Sequence, residues 1–370
     1  MLKVEAHVAT AAVASTRSKM SLGLIAVILT LAFAMTLFVG GCSAQDNGSP
    51  AQADKPDTNA QASADATDEQ KPAPTDVRVL ALKGPTAMGL VQFFNEVDDA
   101  NVSTNNFSYS IASAPDEVTA AVAKGDVDIA AVPANVAAVL YNNTKGGVQV
   151  LNVNTLGVLY IVQNGDAITS IEQLKGKTIY ASGKGATPEY ALNYILQENN
   201  LVVGTDVQIE WLPEHTAVVT SLMSNPESLG MLPQPFATTA QSQNENLKIA
   251  FDLNEEWTKA TSDSTLITGV AIVRTEFAKE HPEAVADFMQ RYAESVAFVN
   301  ANTEDAAKLV GKYDIVPEAV ALKALPKCNI VYIDGSELKT LLGGYLQTIF
   351  DQNPQAVGGT LPDDVFYYQK

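Results

Sequence analysis

Four segments of this chain set a strand end directly against a helix start: Gly84-Pro85-Thr86, Pro133-Ala134-Asn135, Gly185-Ala186-Thr187 and Gln234-Pro235-Phe236. The first turn of a helix leaves backbone N–H groups unbonded and carries the positive end of the helix dipole. Such places suit a small polar or anionic ligand. In open α/β sheets, ligands sit beyond the carboxyl ends of the strands, which is where these segments fall. Thr86, Ser113, Asn135 and Thr187 add side-chain hydrogen-bonding groups, and Tyr190 and Phe236 are placed to pack on a ligand from the helix starts. Glycine and proline also punctuate any α/β chain, and the residues alone leave both readings open.

Bond-making constellations are scarce. The histidines are His7, His215 and His281, and no two have metal-ligand spacing. His215 and His281 read as residues at helix starts. There is no Gly-x-Ser-x-Gly elbow, and Gly183-Lys184-Gly185 lacks the spacing of a phosphate-binding loop. Asp98-Asp99 and Glu255-Glu256 read as solvated faces rather than acid/base pairs. Tyr160 and Trp211 fit a ligand wall or a strand core equally. The expectation is therefore no catalytic residue, no metal and no cofactor.

These residues are carried by alternating strands and helices. Val77–Leu82, Phe107–Ile111, Asp128–Val132 and Val148–Leu151 read as strands, with helices opened at Gly84-Pro85-Thr86, Pro115 and Pro133. The first of these helices carries Met88, Val91 and Phe94 on one face. Pro115-Asp116-Glu117 puts acid in a first helical turn and Gly125 stops that helix. The pattern then restarts, with strands at Gly157–Val162, Lys177–Ala181, Val207–Leu212, Ser228–Leu232 and Leu247–Leu253. Ile267–Val273 is a further strand, after which the chain turns helical. Alternation of this kind implies mostly parallel sheets covered by helices on both faces. Two such sets in roughly 295 residues fit two α/β lobes better than one core.

The segment before this body has its own chemistry. Arg17 and Lys19 precede the apolar run Leu22–Val39, which ends in Val39-Gly40-Gly41-Cys42. Charge, apolar run and small residues are the order of a secretory signal, and a cysteine just after the small residues adds lipid attachment at Cys42. The run is about the 18 residues that a membrane span needs; the two glycines and the polar tract after Cys42 favour cleavage. Residues 1–41 are thus expected to be a lipoprotein signal peptide. Ser43–Thr75, rich in Ala, Gln, Asp, Asn, Ser, Thr and Pro, cannot bury enough apolar surface to order itself and reads as a tether. The anchor would hold the body at the outer face of a membrane. Cys328, beside Ile330-Val331, is then left without a partner and reads as a small buried apolar residue. The net charge of −19 argues against nucleic acid and against an electrostatic grip on anionic lipid.

Gly84-Pro85-Thr86-Ala87-Met88-Gly89, Gly125 through Asn135, Lys184 through Tyr190 and Leu232-Pro233-Gln234-Pro235-Phe236-Ala237 together resemble ABC-importer solute-binding lipoproteins. The group resembled is the one associated with nitrate, sulfonate, taurine and thiamine-pyrimidine uptake. Ala271 through Glu283 is similar to its return strand and following helix, so the likeness spans Val77 to Tyr368. The resemblance implies a two-lobed type II periplasmic-binding fold, with residues 76–155 and 266–370 in lobe one and 156–265 in lobe two. It implies a monomeric receptor for a small-molecule solute that works with an ABC permease and its ATPase and makes no bond. It also implies ligand contacts at Gly84, Pro85, Thr86, Ala87, Met88, Ser113, Pro133, Asn135, Gly185, Ala186, Thr187, Tyr190, Gln234 and Phe236. Where many members have an acid before the last Pro-Phe, this chain has Gln234. The rival expectations are an enzyme on the same fold, of the menaquinone-precursor dehydratase type, and a surface lipoprotein with no role in transport.

Overall fold

The computed structural model describes residues 73–100, 104–165, 168–261 and 263–369. The expected signal segment and nearly all of the tether, residues 1–72, lie outside the described residues.

From β1 (Asp76–Leu82) the chain runs through α1 (Pro85–Met88), α2 (Val91–Asp98), β2 (Asn106–Ala112), α3 (Pro115–Lys124), β3 (Ile129–Pro133), α4 (Ala134–Asn143) and β4 (Val148–Leu156). It then builds β5 (Leu159–Asn164), β6 (Thr178–Ala181), α5 (Thr187–Glu198), β7 (Gln208–Trp211), α6 (His215–Ser224), β8 (Leu229–Pro233), α7 (Phe236–Gln243), β9 (Leu247–Asp252) and α8 (Leu253–Ala260). The last part holds β10 (Ile267–Arg274), α9 (Thr275–Glu280), α10 (Pro282–Ala301), α11 (Thr303–Lys312), α12 (Glu318–Ala324), β11 (Ile330–Ile333) and α13 (Gly335–Gln352).

Two sheets result, ordered β11-β4-β10-β3-β1-β2 and β7-β6-β8-β5-β9. In the first, β2, β1 and β3 run parallel, with Val79 opposite both Tyr109 and Ile129. The returning strand β10 is inserted antiparallel between β3 and β4. In the second, β7, β6 and β8 run parallel, and β5, the first strand after the crossover, is inserted antiparallel between β8 and β9. The chain therefore passes between sheets twice, after β4 and before β10. Gly157 marks the first passage: a Cβ there would stand 2.5 Å from Asn254 Oδ1, so only glycine lets the strand run past α8.

Three local features depart from the sequence expectation. The helix expected from Gly84 through Phe94 is two helices, broken at Gly89-Leu90. Gly89 lies so close to Ile330 that a Cβ would come within 3.1 Å of its Cγ2, and α10 packs against this point through Tyr292 and Val296. The second is α8, a helix that the sequence reading does not mark: Glu255 and Glu256 fill its first turn, with Glu255 exposed, and its start is capped by the Asp252 carboxylate accepting from Asn254 N at 2.9 Å. The third is β11, a four-residue edge strand that the sequence pattern does not mark.

Both sheets belong to one compact unit. A continuous buried cluster carries Val132, Val150 and Val270 of the first sheet together with Ile161, Ile179 and Met231 of the second. Trp257 of α8, fully buried, joins Tyr194 of α5 to Tyr345 of α13 at ring separations of 4.6 and 5.7 Å. A second cluster, with Phe93, Phe94, Phe288 and Tyr292, fills the other face of the first sheet against α2 and α10.

Candidate functional site

The carboxyl ends of β1, β2 and β3 from the first sheet and of β6, β7 and β8 from the second converge on one cavity of about 410 Å³. Its size falls in the usual range for small-molecule sites. Leu82, Ser113 and Pro133 mark the first three strand ends; Ser182, Pro213 and Pro233 mark the second three. Thr155 and Thr268 on one side and Val158 and Leu159 on the other close its floor where the chain crosses between sheets. Thr268 Oγ1 donates to Leu156 O at 2.5 Å, fastening one crossing to the other.

Of the residues expected at a ligand site, Gly84, Pro85, Thr86, Ser113, Pro133, Ala186, Thr187, Gln234 and Phe236 line this cavity. Ala87 and Met88 do not; both are fully buried in the cluster beneath α1, because the short helix turns that face to the core. Tyr190 packs on the core shared by the two sheets instead of on the cavity. Asn135 is wholly buried and spends its amide on the fold, donating to Ala356 O at 3.1 Å and Gly185 O at 3.3 Å. Gly185 is exposed and is not among the lining residues.

Some amides beside the helix starts are taken by side chains. Gly185 N donates to Glu189 Oε2 at 2.6 Å, and Ser113 N donates to Glu117 Oε2 at 3.2 Å. Thr238 N donates to Gln234 Oε1 at 3.3 Å. Thr238 N belongs to the first turn of α7, whereas Ser113 N and Gly185 N lie just before the capping residues of α3 and α5. Pro85, Pro115 and Pro188 have no N–H to offer.

His215, read from sequence only as a helix-start residue, reaches the cavity. Its Nδ1 lies 2.5 Å from Ser182 Oγ, and its ring stands 4.9 Å from that of Phe236 at 47°. Removal from water pushes the imidazole down to about 4, with the Glu214 carboxylate pulling the other way, so the ring is neutral at pH 7. Ser182 and His215 are 33 residues apart, and no local pattern in the sequence links them. Gly183, next after Ser182, has φ +86° and would put a Cβ 2.9 Å from Pro188 Cγ, so the turn at the end of β6 requires glycine.

The Gln234 side chain is 1% exposed. Its Oε1 accepts from Thr238 Oγ1 at 2.8 Å, while its Nε2 is a buried donor with no partner among the described residues. Charged groups on the lining are Lys83, Glu117 and Glu214. Among the described residues, no cluster of three metal-ligating side chains occurs.

A family model for the periplasmic substrate-binding protein of phosphonate ABC transporters matches residues 106–317, more than half of the chain. The chain belongs to that family. Its members are extracytoplasmic components of ABC importers that bind small solutes and work with a permease and an ATPase. The chain is similar in structure to an ABC transporter protein from Parabacteroides distasonis, with a TM-score of 0.67 and 22% identity over 80% of this chain and 99% of that one. It is also similar to the periplasmic aliphatic sulphonate binding protein SsuA from Escherichia coli, with a TM-score of 0.65 and 16% identity over 80% and 93% of the two chains. A Candida albicans protein described as having the generic periplasmic binding protein fold aligns with a TM-score of 0.53 and 16% identity over 79% and 93%. These likenesses establish the fold. No curated protein matches the chain. Among the described residues, no helix is long and apolar enough to cross a membrane.

Proposed function

We propose that this substrate-binding protein is a lipid-anchored receptor that captures one small molecule in the 410 Å³ cavity between its two sheets and releases it to a permease. The convergence of six strand ends, three from each sheet, on that single space carries this reading. Residues 76–155 with 266–370 would form one lobe and 156–265 the other, closing by rotation about the two crossings between sheets. Gly84, Thr86, Ser113, Pro133, Thr187, Gln234 and Phe236 would meet the ligand, joined by Ser182 and His215. Asn135 and Tyr190 would support the walls.

The protein is proposed to act as a monomer, held at the outer membrane face through lipid on Cys42 and set off from it by the tether ending at Thr75. Catalysis is not part of the proposal. The Ser182–His215 contact has the spacing of a nucleophile and its base. Nothing among the described hydrogen bonds orients the imidazole from its other nitrogen: of the lining acids, Glu117 holds a backbone amide and Glu214 acts on the ring by charge alone.

The test is thermal unfolding of the purified protein with a panel of phosphonates, sulfonates, carboxamides and heteroaromatic rings. A ligand at 100 times its Kd should add about 2.7 kcal/mol to stability. Mass spectrometry of any small molecule that co-purifies would name the class. A panel without a single stabilising compound, and a protein that carries nothing, would defeat the proposal.

A further inference from the structure

We propose that Ser182 is a hydrogen-bond donor to the bound solute, and that His215 positions this donor by changing which of its ring nitrogens carries the proton. This rests on the receptor reading above and assigns roles to one polar pair of the same cavity.

Both residues line the cavity. Ser182 follows β6 directly and is 2% exposed; His215 is the first residue of α6. Leu212 N donates to Ala181 O at 2.7 Å, so the two segments leave their strands side by side. The turn after Ser182 lies against the first turn of α5, where a Cβ on Gly183 would stand 2.9 Å from Pro188 Cγ. Ser182 is thereby held near the start of α5, whose Thr187 amide has no partner among the described residues. The Phe236 amide at the start of α7, also on the lining, has none either. An acceptor oxygen of a solute suits such donors, and Ser182 stands beside them.

A serine hydroxyl has one hydrogen and two lone pairs, and a neutral imidazole has one N–H and one bare nitrogen. Burial keeps the His215 ring neutral at pH 7, against the pull of Glu214. Nδ1 stands 2.5 Å from Ser182 Oγ, and Nε2 has no partner among the described residues. Two arrangements satisfy the contact. With the proton on Nε2, the Ser182 hydroxyl donates to Nδ1 and leaves only lone pairs for a solute. With the proton on Nδ1, the ring donates to Oγ and the hydroxyl hydrogen is released to the solute. An acceptor oxygen in the cavity selects the second arrangement. The ring keeps one proton throughout: Nε2 gives one up to water and Nδ1 takes one from water, so no net charge changes. Packing holds the imidazole in place for this. Its ring stands 4.9 Å from that of Phe236, and Val218, Val219 and Leu222 root α6 in a buried cluster with Ala237 and Ala240 of α7. The pair supplies a donor without the desolvated charge that a lysine or arginine at this wall would bring.

Nitrogen NMR of the purified protein, isotope-labelled at histidine, reads the tautomer directly. Methylphosphonate, aminoethylphosphonate, phenylphosphonate and methanesulfonate serve as probes. In the free protein the His215 proton should sit on Nε2, and with a saturating probe it should move to Nδ1. Ser182→Ala should weaken that probe about tenfold or more, the worth of one hydrogen bond to a charged oxygen. His215→Phe should weaken it by a similar factor. His215→Asn, whose amide can donate from the place of Nδ1, should keep the affinity within about threefold. A role in packing alone would rank these two the other way, because phenylalanine keeps the ring against Phe236 and asparagine does not. If a variant fails to fold by circular dichroism, the tautomer of the wild type decides by itself. A probe that binds while the proton stays where it was, or that binds Ser182→Ala as tightly as wild type, would overturn this inference and leave the receptor reading standing. Binding of none of the probes would overturn both.

Discussion

Asn135 Oδ1 accepts a hydrogen bond from Thr187 Oγ1 at 3.3 Å, tying the first turn of α4, on the first sheet, to the first residue of α5, on the second. Tyr345 OH of α13 donates to the same Thr187 oxygen at 3.1 Å. Asn135 Nδ2 meets Gly185 O and Ala356 O. The residue that sequence marked as a ligand contact is thus the centre of a polar knot at the seam, joined to α5, to the turn before it and to the 3-10 turn that follows α13.

Replacing Asn135 by Leu should therefore destabilise the protein more than it changes what the cavity accepts. Ala356 O and Thr187 Oγ1 would each lose a partner in a buried setting, and Gly185 O a partly buried one. The cost should be about 1–3 kcal/mol, read as a lower denaturant midpoint at unchanged slope. Ligand selectivity unchanged with stability lowered is the expected pair of results. Unchanged stability would show that water replaces the amide and that the knot holds nothing together.

His215 should make stability fall between pH 6.5 and pH 4. The unfolded imidazole titrates near 6.5, whereas in the folded protein burial holds it near 4, against the pull of Glu214. Within that window the unfolded chain binds a proton that the folded one refuses, so stability rises with pH and is lost as pH drops. The loss should total roughly 2–3 kcal/mol over the window. His215→Gln should flatten the curve there. Urea midpoints at a series of pH values would check this, and an NMR titration placing His215 near 6.5 would refute it.

Asp128 acts lower on the pH scale. It lies just before β3 and accepts from Arg78 N, Nε and an Nη of β1 at 3.0, 2.9 and 2.7 Å, and from an Arg274 Nη of β10 at 2.9 Å. It therefore pins three adjacent strands at one end. Burial alone would raise its pKa; the hydrogen bonds from the two arginines outweigh burial and leave it below the usual carboxylate range. Its stabilising share is complete above about pH 4 and is lost as pH falls toward the depressed value. Asp128→Asn should cost about 3 kcal/mol at pH 7 and progressively less below pH 4. A variant as stable as the wild type at pH 7 would mean that the arginines find other partners.

Most of the frame could be read from the chain because its signals are local. Pro115-Asp116-Glu117 opens α3, and Gly125 closes it in the left-handed conformation at φ 74°. The buried runs of β3 and β8 end in proline and turn straight into helices, and those ends do face the cavity. The misses have the opposite character. The start of α8 was signalled by Asp252 followed by two acids, yet those acids also read as a solvated face. Glu117 and Glu189 fold back onto the amides of Ser113 and Gly185, just ahead of their helices, and nothing in the local spacing announces it. His215 meets Ser182 across 33 residues, and Asn135 meets Ala356 across 221. Such pairings are decided by packing, and no spacing in the sequence records them.

Cys328 shows how burial sets reactivity. It is fully buried beside β11, and loss of hydration pushes its thiol far above the usual range. Only the thiolate attacks disulfide reagents, so the folded protein should react slowly. In a Cys42→Ser form, where Cys328 is the sole thiol, an aromatic disulfide reagent should label less than a tenth of the native protein in the time that labels all of it in denaturant, a gap of about tenfold or more. The labelling rate should then track unfolding as denaturant rises, because the thiol is reached only when the packing around β11 opens. Fast stoichiometric labelling without denaturant would place Cys328 at an opening of the fold and would reinstate it as a reactive group.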